Sequence, residues 1–208
     1  MRWRRPAPAA LPEIEPIPLV SRAQAFDDPA YQFEPDYAGS RALLYLRGPA
    51  AWFQSPGGRA APALDALAWA LRDQVEEEIA ILDGQVVGLD ADGKQDPKAG
   101  PGSGAMLHYA VFDLLWRRRT DLRQRPLWSR RRGLEQLIPK ATSLLSRVYA
   151  VPEQGRALLR AAERLHYRGI VAKRRADPYH AGSVWYAIRA RRPDQPRPLS
   201  PDGPPRVR

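Results

Sequence analysis

Apolar and polar positions change period repeatedly along this 208-residue chain, and each change marks an expected element. Alternation over Tyr31–Glu34 predicts a strand, Gly39 a turn, and the apolar run from Arg41 to Arg47 a second strand. Residues 49–58, around Trp52 and Phe53, form a short strand or loop. Leu64, Leu67, Ala68, Leu71 and Val75 recur at helical spacing, which predicts an amphipathic helix over 62–77. The Glu76-Glu77-Glu78 run that closes it reads as a solvated helix end rather than a metal site. Strands follow at 79–82 and 85–89, then an Asp92-Gly93 hairpin turn and a Gly- and Pro-containing loop to residue 105. Met106 to Trp116 is long, aromatic and β-branched, as a central strand requires. Ser129 is placed to cap a helix that runs to Ile138 and stops at Pro139, and residues 144–151 form a strand. Pro152 opens a helix with Leu158, Ala161, Ala162 and Leu165 toward the core, and 169–173 and 184–189 are the final strands. Strands outnumber helices and hairpins are frequent. The expected fold class is α+β, with largely antiparallel sheets flanked by helices.

Around this pattern the ends differ in composition. Residues 1–30 read as an extended proline-rich arm, 31–192 as the folded domain, and 193–208 as a disordered Pro/Arg-rich tail. Pro6, Pro8, Pro12, Pro16 and Pro18 break any apolar run near the start, which excludes a signal peptide or a membrane span and gives a cytoplasmic expectation. Absence of cysteine excludes disulfides and thiolate metal sites. His108, His166 and His180 lack the i, i+4 spacing of a helical zinc pair, so no metal site is expected.

Charge changes the picture more. Lys and Arg number 33 against 23 Asp and Glu, a net +10, and only Lys94, Lys98, Lys140 and Lys173 are lysines. Such a surplus favours polyanionic partners, although abundant Ala, Arg, Pro and Gly together also fit a GC-rich genome.

Five segments then carry a resemblance. They are Phe33-Glu-Pro-Asp-Tyr-Ala-Gly-Ser-Arg41; Leu82-Asp-Gly-Gln-Val-Val-Gly-Leu-Asp90; Tyr109-Ala-Val-Phe-Asp-Leu-Leu115 with Thr120-Asp-Leu-Arg-Gln-Arg-Pro-Leu127; Tyr167-Arg-Gly-Ile-Val-Ala-Lys-Arg174; and Pro178-Tyr179 with Gly182 and Trp185. In this order and spacing they resemble the motifs of the adenylation (nucleotidyltransferase) domain of ATP-dependent DNA ligases, in flavour the bacterial end-joining type. The resemblance covers about residues 31–190 and implies an ATP-grasp-like nucleotidyltransferase fold acting in DNA repair and recombination.

The departures bear on activity. A ligase attacks the α-phosphate of ATP with a neutral lysine amine, and the position matching that lysine is Asp36. The motif's aspartate corresponds to Ala38, two metal-site glutamates to Gln85 and Arg168, and the two lysines of the last motif to Ala187 and Arg189. A carboxylate at position 36 would also repel a triphosphate, by ~1 kcal/mol at about 4 Å in water and several-fold more in a dry cleft. About twenty residues follow the last motif, too few for the five-stranded OB-fold barrel that follows it in the family. No catalytic residue is therefore expected. Active chemistry through another nucleophile remains an alternative, since Lys173 alone lies within a motif.

Other family positions are retained. The resemblance gives Glu34 to the adenine edge, Arg41 to the ribose, Phe112 to stacking on the base, and Lys173 to the floor of the cleft. Residual nucleotide binding is one reading. The blander one makes Phe112 core and pairs Lys173 with an acid, so no cofactor is expected beyond weak ATP and magnesium. For DNA, Arg117, Arg118, Arg119, Arg130, Arg131, Arg132, Arg174, Arg175, Arg189 and Arg191 are the candidate phosphate contacts. Trp116 and Trp128 interleave with them, either to stack on exposed bases or, by default, to pack. The expected function is a catalytically degenerate ligase-like protein of the nucleoid that binds nicked or broken duplex DNA and assists repair. Its partner would be a catalytic ligase or another repair protein. An interaction module that makes no DNA contact is the alternative.

Overall fold

A computed structural model describes residues 10–37, 39–59, 62–96, 99–100 and 103–191. In chain order the strands are β1 (Leu19–Ser21), β2 (Asp27–Asp36), β3 (Ser40–Arg47), β4 (Ala50–Ser55), β5 (Gly58–Arg59), β6 (Ile79–Leu89), β7 (Met106–Arg117), β8 (Thr120–Asp121), β9 (Leu145–Arg147), β10 (Val151–Gln154), β11 (Gly169–Arg174) and β12 (Trp185–Arg189). The helices are α1 (Asp65–Arg72), α2 (Leu127–Leu137) and α3 (Gly155–Arg164).

Two sheets result. One runs β1-β12-β11-β2-β10, and the other β5-β4-β3-β6-β7-β8 with β9 also on β7. Pairing is antiparallel except for β1 on β12 and β9 on β7, so the α+β, largely antiparallel expectation holds. Helix α3 covers the outer face of the first sheet through Phe33, Ala162 and Ile170. Helices α1 and α2 cover the outer face of the second through Leu44, Leu71 and Leu134. Leu43, Tyr45, Phe112 and Trp185 meet between the sheets. Strand β3 therefore packs on both faces, which is why its apolar run is continuous rather than alternating. At Gly84 in β6 an added Cβ would lie 2.6 Å from the Tyr109 ring. That ring must stay where it is, because its hydroxyl donates to the carbonyls of Ala42 and Leu82.

Several expectations change. The stretch read as an extended arm is extended between residues 10 and 30, but it packs on the domain. Ile14 and Ile17 are buried, and β2 already begins at Asp27. The tail from 193 lies outside the described residues. The helix over 62–77 is shorter, with a 3₁₀ turn at Pro62–Leu64 before α1. Glu77 is not a solvated end: it is buried and takes Arg117 at 3.0 Å and Arg118 at 3.2 Å. Segments 79–82 and 85–89 are one strand with register shifts at Ile81/Leu82 and Asp83/Gly84. Helix α2 starts at Leu127 rather than after Ser129. Its first N–H groups donate to the carbonyls of Asp177 and Arg175, so a tertiary contact replaces the side-chain cap. Pro152 lies in the edge strand β10, where its missing N–H costs no ladder bond, and α3 starts only at Gly155.

Helix α2 is fixed to β7 by a buried ion pair. Arg130 donates to both oxygens of Asp113 at 2.8 Å and to the carbonyls of Arg125 and Asp177. Both side chains are fully buried. Arg130→Ala would strand the Asp113 carboxylate and should cost about 3–5 kcal/mol in a denaturant melt. A loss under 1 kcal/mol would show that water or a neighbour replaces the guanidinium.

Candidate functional site: the cleft between the sheets

Strand alternation points Gln32, Glu34 and Asp36 of β2 to one face, toward β3, β6 and β7 of the other sheet. Lys173 of β11 and Trp185 of β12 share that face. The cleft is thus lined by Glu34, Arg41, Gln85, Phe112, Lys173 and Trp185, with Leu19 of β1 closing one side. Four of these are the sequence-predicted nucleotide residues, and each of the four is committed to an internal contact.

At the deep end, Lys173 Nζ lies 2.6 Å from Glu34. Its ammonium sits 3.7 Å from the Phe112 ring centroid and 4.0 Å from that of Trp185. Burial pulls the Lys173 pKa below its ordinary value, against the opposing pull of Glu34. Gln32 donates to the other Glu34 oxygen at 2.7 Å, and Arg131 lies 3.4 Å from it. In the middle, Arg41 grips Asp83 with two hydrogen bonds of 3.1 and 2.7 Å and also donates to the carbonyl of Ile17. Tyr179 donates to Asp83 at 2.7 Å and accepts from Arg41. Burial by itself pulls the Arg41 pKa down, but the charge and hydrogen bonds of Asp83 outweigh it, and the net shift is upward.

At the outer end the charges run opposite to those that the sequence resemblance implies. Asp36 accepts from Arg168 Nε at 2.7 Å and from Nη2 at 2.6 Å, and from Gln85 at 3.3 Å. The guanidinium neutralises the carboxylate, so bare repulsion of a triphosphate no longer describes this position. The Ala38 position lies outside the described residues. Ala187 faces the cleft on β12 opposite Val171, with exposed Arg189 beside Gly169.

What remains open in the cleft is about 20 Å³, beside a Gln85 Oε1 that has no hydrogen-bond partner. That is room for roughly one water molecule. An adenine would need Trp185, Leu19 or the Lys173–Glu34 pair to move. As placed, these residues do not fit a nucleotide. Among the described residues no group of three His, Asp or Glu side chains could hold a metal ion, and no helix is long and apolar enough to cross a membrane.

The candidate DNA-binding arginines divide. Arg130 and Arg131 are buried, which withdraws them from any DNA surface: Arg131 donates to the carbonyls of Phe112 and Val148. Their helix faces β7, and no local signal marks them apart from Arg132 in the same basic run. Arg118, Arg119, Arg132, Arg174, Arg175, Arg189 and Arg191 are exposed, and Arg117 is half-buried. They sit in three places: the β7–β8 turn, the junction of α2 with the end of β11, and the cleft mouth around Arg168 and Arg189. Trp116 is half-buried, its indole N–H donating to the Arg118 carbonyl, whereas Trp128 is 53% exposed against the packing default. Asp83, Tyr179 and Gln32 lie in segments already singled out but carried no assigned role. The period-2 alternation of β2 was the available signal for Gln32.

Comparison with known proteins agrees with the arrangement. Residues 20–188 match the family model described as ATP dependent DNA ligase domain. Among solved structures, a mycobacterial DNA ligase D complexed with ATP and MES is 27% identical with a TM-score of 0.70, over 84% of this chain and 60% of that one. The ligase domain of M. tuberculosis LigD is 26% identical with a TM-score of 0.67, over 84% and 59%. The chain therefore spans about six-tenths of their lengths. A Chlorella virus DNA ligase-adenylate, 14% identical with a TM-score of 0.56 over 85% of this chain and 69% of that one, shares the fold. No curated protein matches the chain.

The buried tyrosines predict an alkaline limit. Burial raises the hydroxyl pKa of Tyr37 and Tyr45 to about 12, and raises those of Tyr109 and Tyr179 well above the ordinary value, with Asp83 adding to both. These groups stay protonated in the fold but ionise near pH 10 when unfolded. The unfolded chain then binds fewer protons, so stability falls as pH rises from about 10 toward about 12. Lys173, shifted downward, opposes this trend as one group against four. Tyrosinate absorbance should therefore appear largely in step with loss of far-ultraviolet ellipticity. Ionisation of all the tyrosines near pH 10 in a still-folded protein would contradict it.

Proposed function

This chain belongs to the ATP-dependent DNA ligase domain family, and we propose that it has exchanged the adenylation chemistry of that family for a DNA-binding role in break repair. The observation that carries this reading is the Asp36–Arg168 pair. The family places a nucleophilic lysine at the first position and an acid at the second, and here both signs are reversed. A carboxylate held by two guanidinium hydrogen bonds is not a nucleophile toward a phosphate anhydride. The commitment of Glu34, Arg41 and Lys173 to internal partners supports the same conclusion for ATP and magnesium, which bind weakly at best.

Positive charge supports the retained role. Exposed arginines at the cleft mouth and on the β7–β8 turn can meet phosphates without the lost lysine. Nicked or broken duplex DNA is the proposed partner, at the nucleoid, alongside a catalytic ligase or another repair protein.

Two measurements test this. Incubation with ATP and magnesium should leave the intact mass without an AMP adduct. Asp36→Lys alone should not create one, because the new lysine would face Arg168. An adduct on the unaltered protein would sink the inactive reading. Binding to nicked, blunt and intact duplexes over a salt series should favour nicks or ends, with log affinity falling by about 0.9 per log salt for each phosphate engaged. No binding at low salt would remove the DNA role.

A further inference from the structure

On the other side of the Glu34–Arg131 pair from the cleft lies a second, open groove of about 650 Å³. Resting on the DNA-binding reading above, we propose that this groove holds unpaired nucleotides at a DNA end, by stacking their bases on Trp128 and Tyr149.

The groove is built for that chemistry in three respects. First, it presents two large aromatic rings to water, Trp128 at 53% and Tyr149 at 68% exposure. They come from separate elements, the first turn of α2 and the segment after β9. Exposed rings that line one groove offer faces onto which bases stack, whatever their sequence.

Second, arginines line the groove together with the rings. Arg132 stands on α2, Arg147 on β9, and Arg175 just after β11. The backbone N–H of Trp128 donates to the Arg175 carbonyl at 3.1 Å, which brings the two residues together at one corner of the groove. Glu135 offsets part of the charge through its 3.5 Å contact with Arg147, and the lining still carries more cations than anions. Third, the floor is polar and rigid. It includes Gln32, hydrogen-bonded to Glu34, and Arg131, pinned to two backbone carbonyls. A volume of this size suits roughly one or two nucleotides. Bases within a duplex are stacked on both sides and cannot enter between rings, so the groove selects unpaired ends, whereas the outer arginines meet duplex phosphates.

Fluorescence anisotropy with a blunt duplex, the same duplex bearing a short single-stranded overhang, and a free oligothymidylate tests the assignment. Trp128→Ala/Tyr149→Ala should weaken overhang and oligothymidylate binding by about tenfold or more. Blunt-duplex affinity and thermal unfolding should stay unchanged, since both rings are exposed. Arg118→Ala/Arg119→Ala should do the reverse, weakening the blunt duplex and sparing the oligothymidylate. Unchanged oligothymidylate affinity in the aromatic double variant would overturn the groove, as would blunt-duplex binding without any oligothymidylate binding. A phosphopeptide bound as tightly and with the same dependence on Trp128 would also overturn it. Loss of duplex binding with the oligothymidylate retained would strike only the wider duplex-binding reading and leave the groove standing.

Discussion

A carboxylate buried between two sheets must have a cation within reach, and this requirement fixes how the halves of the protein meet. Lys173 answers Glu34 within the first sheet, while Arg41 answers Asp83 within the second. Phe112 and Trp185 lie over both cations, so the two pairs interlock across the cleft. Arg131 then ties α2 to Glu34, and Arg130 ties it to Asp113. Removing Lys173, Arg41 or Arg130 would leave a carboxylate short of its main partner in a dry interior, which costs about as much as a large apolar truncation. The closed cleft follows from this satisfaction of charge. A nucleotide would have to displace Trp185, Leu19 or a pair that the fold itself depends on.

The mouth of the cleft obeys the same rule with opposite signs. Asp36 and Arg168 attract at 2.6 Å, the reverse of the base–acid order that the sequence resemblance implies for these two positions. An ion pair can change sign at little electrostatic cost, provided that both members change, so the local attraction persists. Gln85 accommodates the change by donating to Asp36, and its own carbonyl is left facing the small cavity.

Much of this was legible in the residues. The ordered motifs identified the family, and the helical spacing of Leu64 to Val75 and the apolar run of Met106 to Trp116 located elements correctly. The bland reading of Lys173, an acid for a partner, agrees with the Glu34 ion pair. Errors clustered where a distant contact overrode a local signal. Ser129 lost the cap position because the carbonyls of Asp177 and Arg175 meet the first N–H groups of α2. Pro152 read as a helix opener but sits on a sheet edge, and Glu77 read as solvated but gathers two arginines.

By itself the sequence determined the family, the α+β class and the excess of positive charge. These depend on residue identity and short-range order, which a linear reading preserves. Only the tertiary structure decided which arginines face water and which face a carboxylate. Arg130, Arg131 and Arg132 are adjacent in sequence, yet two are buried and one is exposed. The groove of Trp128 and Tyr149 was equally hidden, because its walls come from segments about twenty residues apart that meet only when α2 docks on β7. Burial is a property of what packs against a side chain, and that partner is set by the fold rather than by sequence neighbours.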